Sequence, residues 1–350
     1  TVAASGRTGG LLAVHAHPDD ETLSTGGLLA TWASLGRPVT VVTCTRGEQG
    51  EVIPAELAHL EGEALALATQ REQELTEALT ALGVVDHSYL DQLVEPMGEG
   101  VVGRTEAVQV AYRDSGMAWR GAGLAGGVAE LPPGAFVAVP IDEAARRLAA
   151  LIRGRRPDVV VTYEPGGGYG HPDHVHAHLV TMRAVELAAG DGGGVDGRAC
   201  GPEDALPAFR VPLVLWAVQP EATMRSALSV LPGLPWVRAL LEADPGLTVF
   251  SPTDPLPSVA VPDAWLDYVV DTSAVTRDVV GALRGYVTQV GAVTIAPGGP
   301  APVPGAAIIG CYALSDNAVA PLFDREWYRA ATNWRPEAVA GLLPLTPQVP

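Results

Sequence analysis

Short apolar runs alternate with amphipathic stretches through the first half of the chain. Residues 11–14, 39–43, 84–90 and 158–163 read as strands, because aliphatic and β-branched side chains follow one another between turn formers. Between them, residues 24–35, 63–82 and 142–153 carry apolar side chains at helical spacing. Gly36 closes the first of these helices, Gly83 closes the second and Pro157 stops the third. Asp142 is placed as the N-cap of the third helix, and Arg153, Arg155 and Arg156 lie where they complement its dipole. Strand, helix and strand in repetition predict βαβ units with right-handed crossovers and parallel strands. The expected fold class is therefore α/β, a Rossmann-like and mostly parallel sheet flanked by helices.

The second half is less regular. Residues 91–140 are Gly-rich and irregular, the mark of a long functional loop. A Gly/Pro/Asp-rich break at 190–212 precedes a strand-like run at 213–218, and Pro-rich segments continue to residue 262. A helix is expected at 274–290 and a variable Gly/Pro run at 296–305. No internal repeat is visible. The expected organisation is a core over residues 1–190, with residues 191–350 as a C-terminal elaboration of the same domain rather than a separate one.

Composition narrows the function classes. With 350 residues and 47% hydrophobic content the chain can bury a full core, which excludes disorder throughout. A net charge of −18 opposes nucleic acid and anionic membrane as partners and favours a neutral or cationic small molecule. Cys44, Cys200 and Cys311 are too few and too scattered for a disulfide framework or a CxxC metal site, and a reducing cytoplasm is the default. Nothing resembles a signal peptide or an apolar span of about 18 residues, so a soluble cytoplasmic protein is expected. Oligomeric state leaves no trace in the sequence.

Two of the strands end in turns rich in potential ligands. His17, Asp19 and Asp20 follow the first strand, in a turn that Pro18 restrains. The segment GGGYGHPDHVHAH, residues 166–178, follows the strand at 158–163. Ligands of open α/β sheets bind beyond the carboxyl ends of strands, so these two turns are expected to converge. Imidazole and carboxylate together favour Zn²⁺ or Fe²⁺ over Ca²⁺ or Mg²⁺. Asp173 can cap the second helix, on which His174 and His178 share a face while His176 points elsewhere. Spacing leaves His174 and His178 both open as the distal ligand. Helix capping by Asp19 and Asp20, with His17 on the surface, explains one turn alone but not the coincidence of two. The glycines before His171 match neither phosphate-binding pattern, and their expected role is to bend the backbone so that Tyr169 and His171 lean over the metal. Loop 45–53, carrying Glu48 and Glu51, points to the same face. Arg71 has Glu74 at i+3 as its one local acidic partner.

AHPDDE followed by GHPDH resembles the LmbE/PIG-L family of metal-dependent N-acetylglucosamine deacetylases. The segments VHAHPDDE, VVTCTRGEQGEVI, YRDSGMA and VVVTYEPGGGYGHPDHVHAH are most similar to its mycothiol-biosynthesis branch, which acts on an N-acetylglucosaminyl-inositol. Beyond His178 the resemblance thins to the fragments TQV and LSDNAVAP. It implies an amide hydrolase with one Zn²⁺ or Fe²⁺ per subunit, held by His17, Asp20 and His174. Asp19 would be the general base. His171, oriented by Asp173, and Tyr169 would serve as proton donor or oxyanion donor. Ser24, Glu51, Arg71, Asp114 and Met117 would contact the amino-sugar substrate. Ser24 and Gly170 match the deacetylases, whereas the sister mycothiol S-conjugate amidases carry Lys and Pro there, although FVAVPIDEA resembles the amidases. Two rivals stand outside the family. An Fe²⁺ oxygenase triad of His17, Asp19 and a distal His is disfavoured because such oxygenases resemble β jelly rolls. A non-catalytic sugar-binding or metal-sensing module is disfavoured by the spare carboxylate of Asp19.

Overall fold

Burial on both faces is what makes the central strands read as unbroken apolar runs. The computed structural model describes residues 9–93, 111–121, 123–190, 206–331 and 345–347. Its first half runs β1 (Leu11–His15), α1 (Asp20–Ser34), β2 (Val39–Thr43), α2 (Ala64–Ala81) and β3 (Asp86–Tyr89). A hairpin, β4 (Met117–Gly121) and β5 (Leu124–Gly127), precedes α3 (Ile141–Arg155), β6 (Val159–Tyr163) and α4 (Pro172–Ala189). Next come β7 (Leu213–Pro220), α5 (Glu221–Val230), α6 (Pro235–Ala243), β8 (Ala260–Val261), β9 (Tyr268–Asp271) and α7 (Thr276–Gly285). The last strands are β10 (Gly291–Ile295), β11 (Ala301–Val303), β12 (Ala306–Ala313), β13 (Val319–Phe323), β14 (Arg325–Ala330) and β15 (Thr346–Pro347).

The main sheet has the order β15-β9-β14-β7-β6-β1-β2-β3. From β7 to β3 it is parallel, with Leu11 beside both Val39 and Val159, while β14, β9 and β15 extend it antiparallel. Alternate side chains feed two cores. Leu11, Ala13 and Val161 pack with α1, α2 and α7, whereas Leu12, Val14 and Val160 pack with α3 and α4. A third core, including Val218, Ile308, Phe323 and Trp327, joins the small sheet around β12 to the edge of the large one.

Several local expectations change. The helix expected from residue 24 begins at Asp20, because the Asp19 carbonyl already accepts from the N–H groups of Thr22 and Leu23. Pro140, not Asp142, stands at the N-cap of α3; Asp142 lies in the first turn and accepts from Arg183 at 2.7 Å. Arg153 serves the end of α4, donating to Leu187 O at 2.8 Å and Gly190 O at 2.7 Å, and Arg155 pairs with Asp86. His171 rather than Asp173 caps α4. The helix expected over 274–290 ends at Gly285, since the chain turns so that Thr288 N–H and Oγ1–H reach Glu74. Part of the expected 296–305 loop is β11. Within the expected irregular stretches, residues 94–110, 122 and 191–205, Cys200 among them, lie outside the described residues. Cys44 and Cys311 are buried and free. Among the described residues no helix is long and apolar enough to cross a membrane.

The contact between α1 and β14 generates two predictions. Glu326 accepts from the backbone N–H groups of Gly27 at 2.6 Å and Leu28 at 2.8 Å, and from Tyr328 Oη–H at 2.6 Å. A Cβ at Gly27 would lie 2.2 Å from Thr272 Cγ2 and 2.9 Å from Glu326 Oε1, whereas one at Gly26 would meet nothing nearer than 3.5 Å. Gly27→Ala should therefore destabilise by about 1–3 kcal/mol through overpacking. Gly26→Ala should be neutral or stabilise by up to about 1 kcal/mol through helix propensity; urea melts of both variants check the pair.

Burial pushes the Glu326 carboxyl from an ordinary 4.5 up to about 7, against the pull of its three donors. The folded chain thus binds this proton more tightly than the unfolded chain, so its contribution is full below about pH 4.5 and is lost as pH rises toward 7. Across that window the stability difference between wild type and Glu326→Gln should move in favour of the variant, read from urea melts at successive pH values.

Candidate active site

The chain leaves β1 toward β2 on one side of the sheet and later returns through β6 on the other, so the order reverses between β1 and β6. Such a switch point opens a crevice beyond the carboxyl ends of the two strands. The two ligand-rich turns meet there. His17 Nδ1 lies 3.2 Å from Asp20 Oδ2, His174 Nε2 lies 3.2 Å from the same oxygen, and the two ring nitrogens are 3.3 Å apart. All three side chains are buried.

The outward partners of these rings determine what faces inward. His17 Nε2–H donates to Asp173 Oδ2 at 3.2 Å, and His174 Nδ1–H donates to Gly167 O at 3.2 Å. With those protons on the far nitrogens, the near nitrogens and the Asp20 oxygen present three lone pairs to one another. Asp20 Oδ2 also accepts from the His17 backbone N–H at 3.0 Å, but neither ring nitrogen has a donor of its own, and acceptors facing one another favour a cation among them. Tetrahedral donors about 2.0–2.1 Å from a metal stand about 3.3–3.4 Å apart, which is the spacing found. Carboxylate or carbonyl groups behind each imidazole are the usual support of metal-ligating histidine. The group can therefore hold a metal ion.

Looser groupings exist nearby. Donor atoms of His17, His171 and His174, and those of His17, Asp114 and Asp173, lie within 4.8 Å of one another. Their members are committed elsewhere. His171 Nδ1 accepts from Asp173 N–H at 3.1 Å, Asp114 accepts from Gly116 N–H at 2.8 Å, and Asp173 accepts from Ser115 N–H at 2.9 Å and Ser115 Oγ–H at 2.5 Å. His178 turns away from the triangle, its ring packed edge-on against Trp216 at 5.4 Å and its Nδ1–H donating to Tyr163 O at 2.9 Å. His176 packs edge-on against Phe136.

The expected contact between Asp173 and His171 runs through the Asp173 backbone N–H. The carboxylate is already held by Ser115 and His17. Because His171 Nδ1 is an acceptor, the neutral ring carries its proton on Nε2. Burial, reinforced by His17 and His174, holds this ring well below the ordinary histidine range. Tyr169 packs edge-on to His174 with ring centres 4.9 Å apart and stacks on Trp119 of the hairpin at 5.6 Å. The loop that carries it uses left-handed backbone at Gly167, Gly168 and Gly170, as its glycines foretell.

Asp19 has the positive φ of 114°, rare for a residue with a side chain and costing of order 1–3 kcal/mol. Two partners hold it there. Glu21 accepts its N–H at 3.1 Å, and the buried Arg71 donates to its carboxylate at 3.0 Å while also reaching Pro18 O and Gly47 O. Gly47 must lack a side chain, since a Cβ would lie 2.0 Å from Arg71 Nη1. Arg71 thus pairs with Asp19 rather than with Glu74. Burial raises the Asp19 carboxyl well above its usual range, and Arg71 opposes that shift.

His17, Asp19, Asp20, Glu51, Arg71, Asp114, Met117, Tyr169 and His171 share one polar cavity, with Glu51 exposed at its edge. Ser24 lines a second, adjoining cavity beyond Asp20. Sequence reasoning passed over several neighbours. Glu21 accepts from Tyr286 Oη–H and from Thr22, Tyr163 stacks on the His174 ring at 4.2 Å, and Gln289, Leu314 and Ser315 line the polar cavity. The TQV and LSDNAVAP fragments contain the last three and were the available signal.

Comparison with known proteins agrees with this geometry. The profile of PIG-L, GlcNAc-PI de-N-acetylase, matches residues 12–185, the span that carries both turns. The 1D-myo-inositol 2-acetamido-2-deoxy-alpha-D-glucopyranoside deacetylase of Kineococcus radiotolerans is 45% identical over 280 residues, covering 80% of this chain and 68% of its own. The protein of the same name from a Nocardioides species is 37% identical over 331 residues and covers 93% of each chain. Among solved structures, the N,N'-diacetylchitobiose deacetylase of Pyrococcus horikoshii aligns over 59% of each chain at 21% identity, with a TM-score of 0.40. With the profile centred on the two converging turns and a relative matched along nearly its whole length, the chain belongs to the PIG-L (LmbE) family.

Proposed function

We propose that this protein is a metal-dependent hydrolase that removes the acetyl group from an N-acetylglucosaminide, with 1-O-(2-acetamido-2-deoxy-α-D-glucopyranosyl)-1D-myo-inositol as its substrate. One observation carries the reading: three buried ligand atoms at tetrahedral spacing, on His17, Asp20 and His174, with the Arg71-held carboxylate of Asp19 beside them. The names of the relatives supply the substrate. Residues 191–350 are read as an elaboration of the same domain, supported by the entry of β7, β9 and β14 into the one sheet.

His17, Asp20 and His174 would hold one Zn²⁺ or Fe²⁺, both of which accept two imidazoles and a carboxylate. When bound, the ion supplies Lewis acidity, lowering the pKa of a water and polarising the acetyl carbonyl. Asp19 takes the proton from the attacking water, and Arg71 and Glu21 hold it in place for that work. His171, neutral and protonated on Nε2, is a donor to the oxyanion or the leaving amine, and Tyr169 Oη–H is a second donor on the same wall. Asp114, Met117, Glu51 and Arg71 line the space where sugar hydroxyls would lie, and Ser24 approaches from the far side of Asp20. Release of free amine from the glucosaminyl-inositol by metal-loaded protein tests the reaction, and no amine above background would reject it. Metal analysis after anaerobic purification identifies the ion.

Adjacent carboxylates should give different phenotypes. Asp20→Ala should lose the metal, leaving two imidazoles to hold it, while Asp19→Asn should keep the metal and lose about 10²–10⁴ in kcat. Metal content measured beside kcat decides, and the reverse pattern would reject the assignment. Arg71→Ala should lower kcat by about 10- to 100-fold as well as raise KM, because Asp19 loses the group that positions it. A rise in KM alone would show that Arg71 acts on substrate only.

A further inference from the structure

The space around the donor triangle has two chambers. The polar one, about 80 Å³, carries Asp19, Arg71, Asp114 and Gln289 on its walls. A larger one, about 260 Å³, begins on the other side of Asp20 and His174. Asp20, Leu23, Trp119, Tyr169 and Leu314 line both, so the chambers meet at the metal-ligating group. The far walls of the larger chamber come from the C-terminal half, including Met224 and Leu228 of α5, Val259, Leu322 and Phe323.

The charged side chains on those walls are already partnered. Glu326 is held by α1 and Tyr328, Asp254 accepts from Ser251 N–H at 2.8 Å, Asp316 accepts from Ala318 N–H at 3.0 Å, and Arg325 pairs with Asp324. What remains for a ligand to touch is chiefly hydrocarbon.

From this geometry we infer that the larger chamber receives the acyl arm of the scissile amide, and that the enzyme hydrolyses glucosaminides N-acylated with a linear aliphatic chain of about six carbons. The inference rests on the deacylase reading above. An amide carbonyl at the donor triangle has two arms, the nitrogen with its sugar and the acyl carbon. Apart from Ser24 at the junction, the donors and acceptors assigned to sugar hydroxyls, Arg71, Asp114 and Glu51, lie in the polar chamber, which directs the acyl carbon toward the other. An acetyl methyl would leave that chamber almost empty, whereas an engineered apolar cavity of about 150 Å³ already holds a benzene ring. A hexanoyl tail fits within 260 Å³. In the reaction the water oxygen bonds to the acyl carbon and the carbon–nitrogen bond breaks. The proton taken by Asp19 passes to the amine, leaving free glucosaminide and hexanoate.

The test compares N-acetyl, N-butanoyl and N-hexanoyl forms of the same glucosaminyl-inositol with metal-loaded protein, reading free amine. Each methylene that enters the chamber is worth about fourfold, so kcat/KM for hexanoyl should exceed that for acetyl by at least about tenfold. Hexanoate should inhibit deacetylation at concentrations at least about tenfold below acetate. Met224→Trp, which fills the chamber, should abolish both preferences while acetyl turnover stays within about twofold. The acid comparison needs no variant and stands if that one fails to fold. Acetyl cleaved but hexanoyl slower, hexanoate no better than acetate, or an unchanged preference in a folded Met224→Trp would each overturn the acyl chamber and leave the deacetylase reading intact. Amine from none of the three substrates would overturn the deacetylase reading and this inference together.

Discussion

Three potential ligand atoms held 3.2–3.3 Å apart in a buried site are the constraint on which the rest of this structure depends. With the ring protons on their far nitrogens, His17 Nδ1 and His174 Nε2 face each other and Asp20 Oδ2 as acceptors, an arrangement that turning either ring would relieve. It does not relax because each ring is pinned from behind, His17 by Asp173 and His174 by the Gly167 carbonyl and the Tyr163 ring. Asp173 is pinned in turn by both donors of the fully buried Ser115. The scaffold beneath is the pair of adjacent parallel strands β1 and β6, whose buried faces belong to two separate cores. A site of this kind must be built on rigid elements, since an ångström of slack would let the acceptors separate.

A second layer ties the C-terminal half to the same spot. Glu21 joins the backbone N–H of Asp19 to Tyr286, and Glu74 on α2 accepts from Thr288, beside Gln289 in the polar cavity. Glu326 of β14 meets the backbone of α1 a short way beyond Asp20. The strained backbone of Asp19 is thus held from the N-terminal core by Arg71 and, through Glu21, from the C-terminal half by Tyr286. Strain of this sort persists only where the surroundings over-determine it.

How much of this was legible follows from how far each contact reaches along the chain. The parallel strands, most helices and the two ligand-rich turns, with His17, Asp20 and a distal histidine, were written in local patterns: apolar runs, turn residues, and a ligand-rich motif at a strand's end. Such features depend on neighbours within a few positions, and a helical period or an HPDD turn states them directly. Where a local rule failed, a distant partner had taken its place. Asp142 was drawn to Arg183 rather than to a cap, Arg153 to the carbonyls ending α4, and Thr288 to Glu74, which cut the expected helix short.

What the sequence by itself determined, then, was the chemistry and the sheet: which side chains could ligate, and that two strand ends would carry them. Spacing left His174 and His178 both open, and tertiary structure brings the Nε2 of His174 beside Asp20 and His17 while His178 packs on Trp216. Tertiary structure alone paired Arg71 with Asp19, set the tautomer of His171 through the N–H of Asp173, and opened two chambers of opposite character around one carboxylate. The physical reason is that periodicity tells which face of an element is apolar, whereas the partner of a buried polar atom is whatever the packing of other elements brings opposite it.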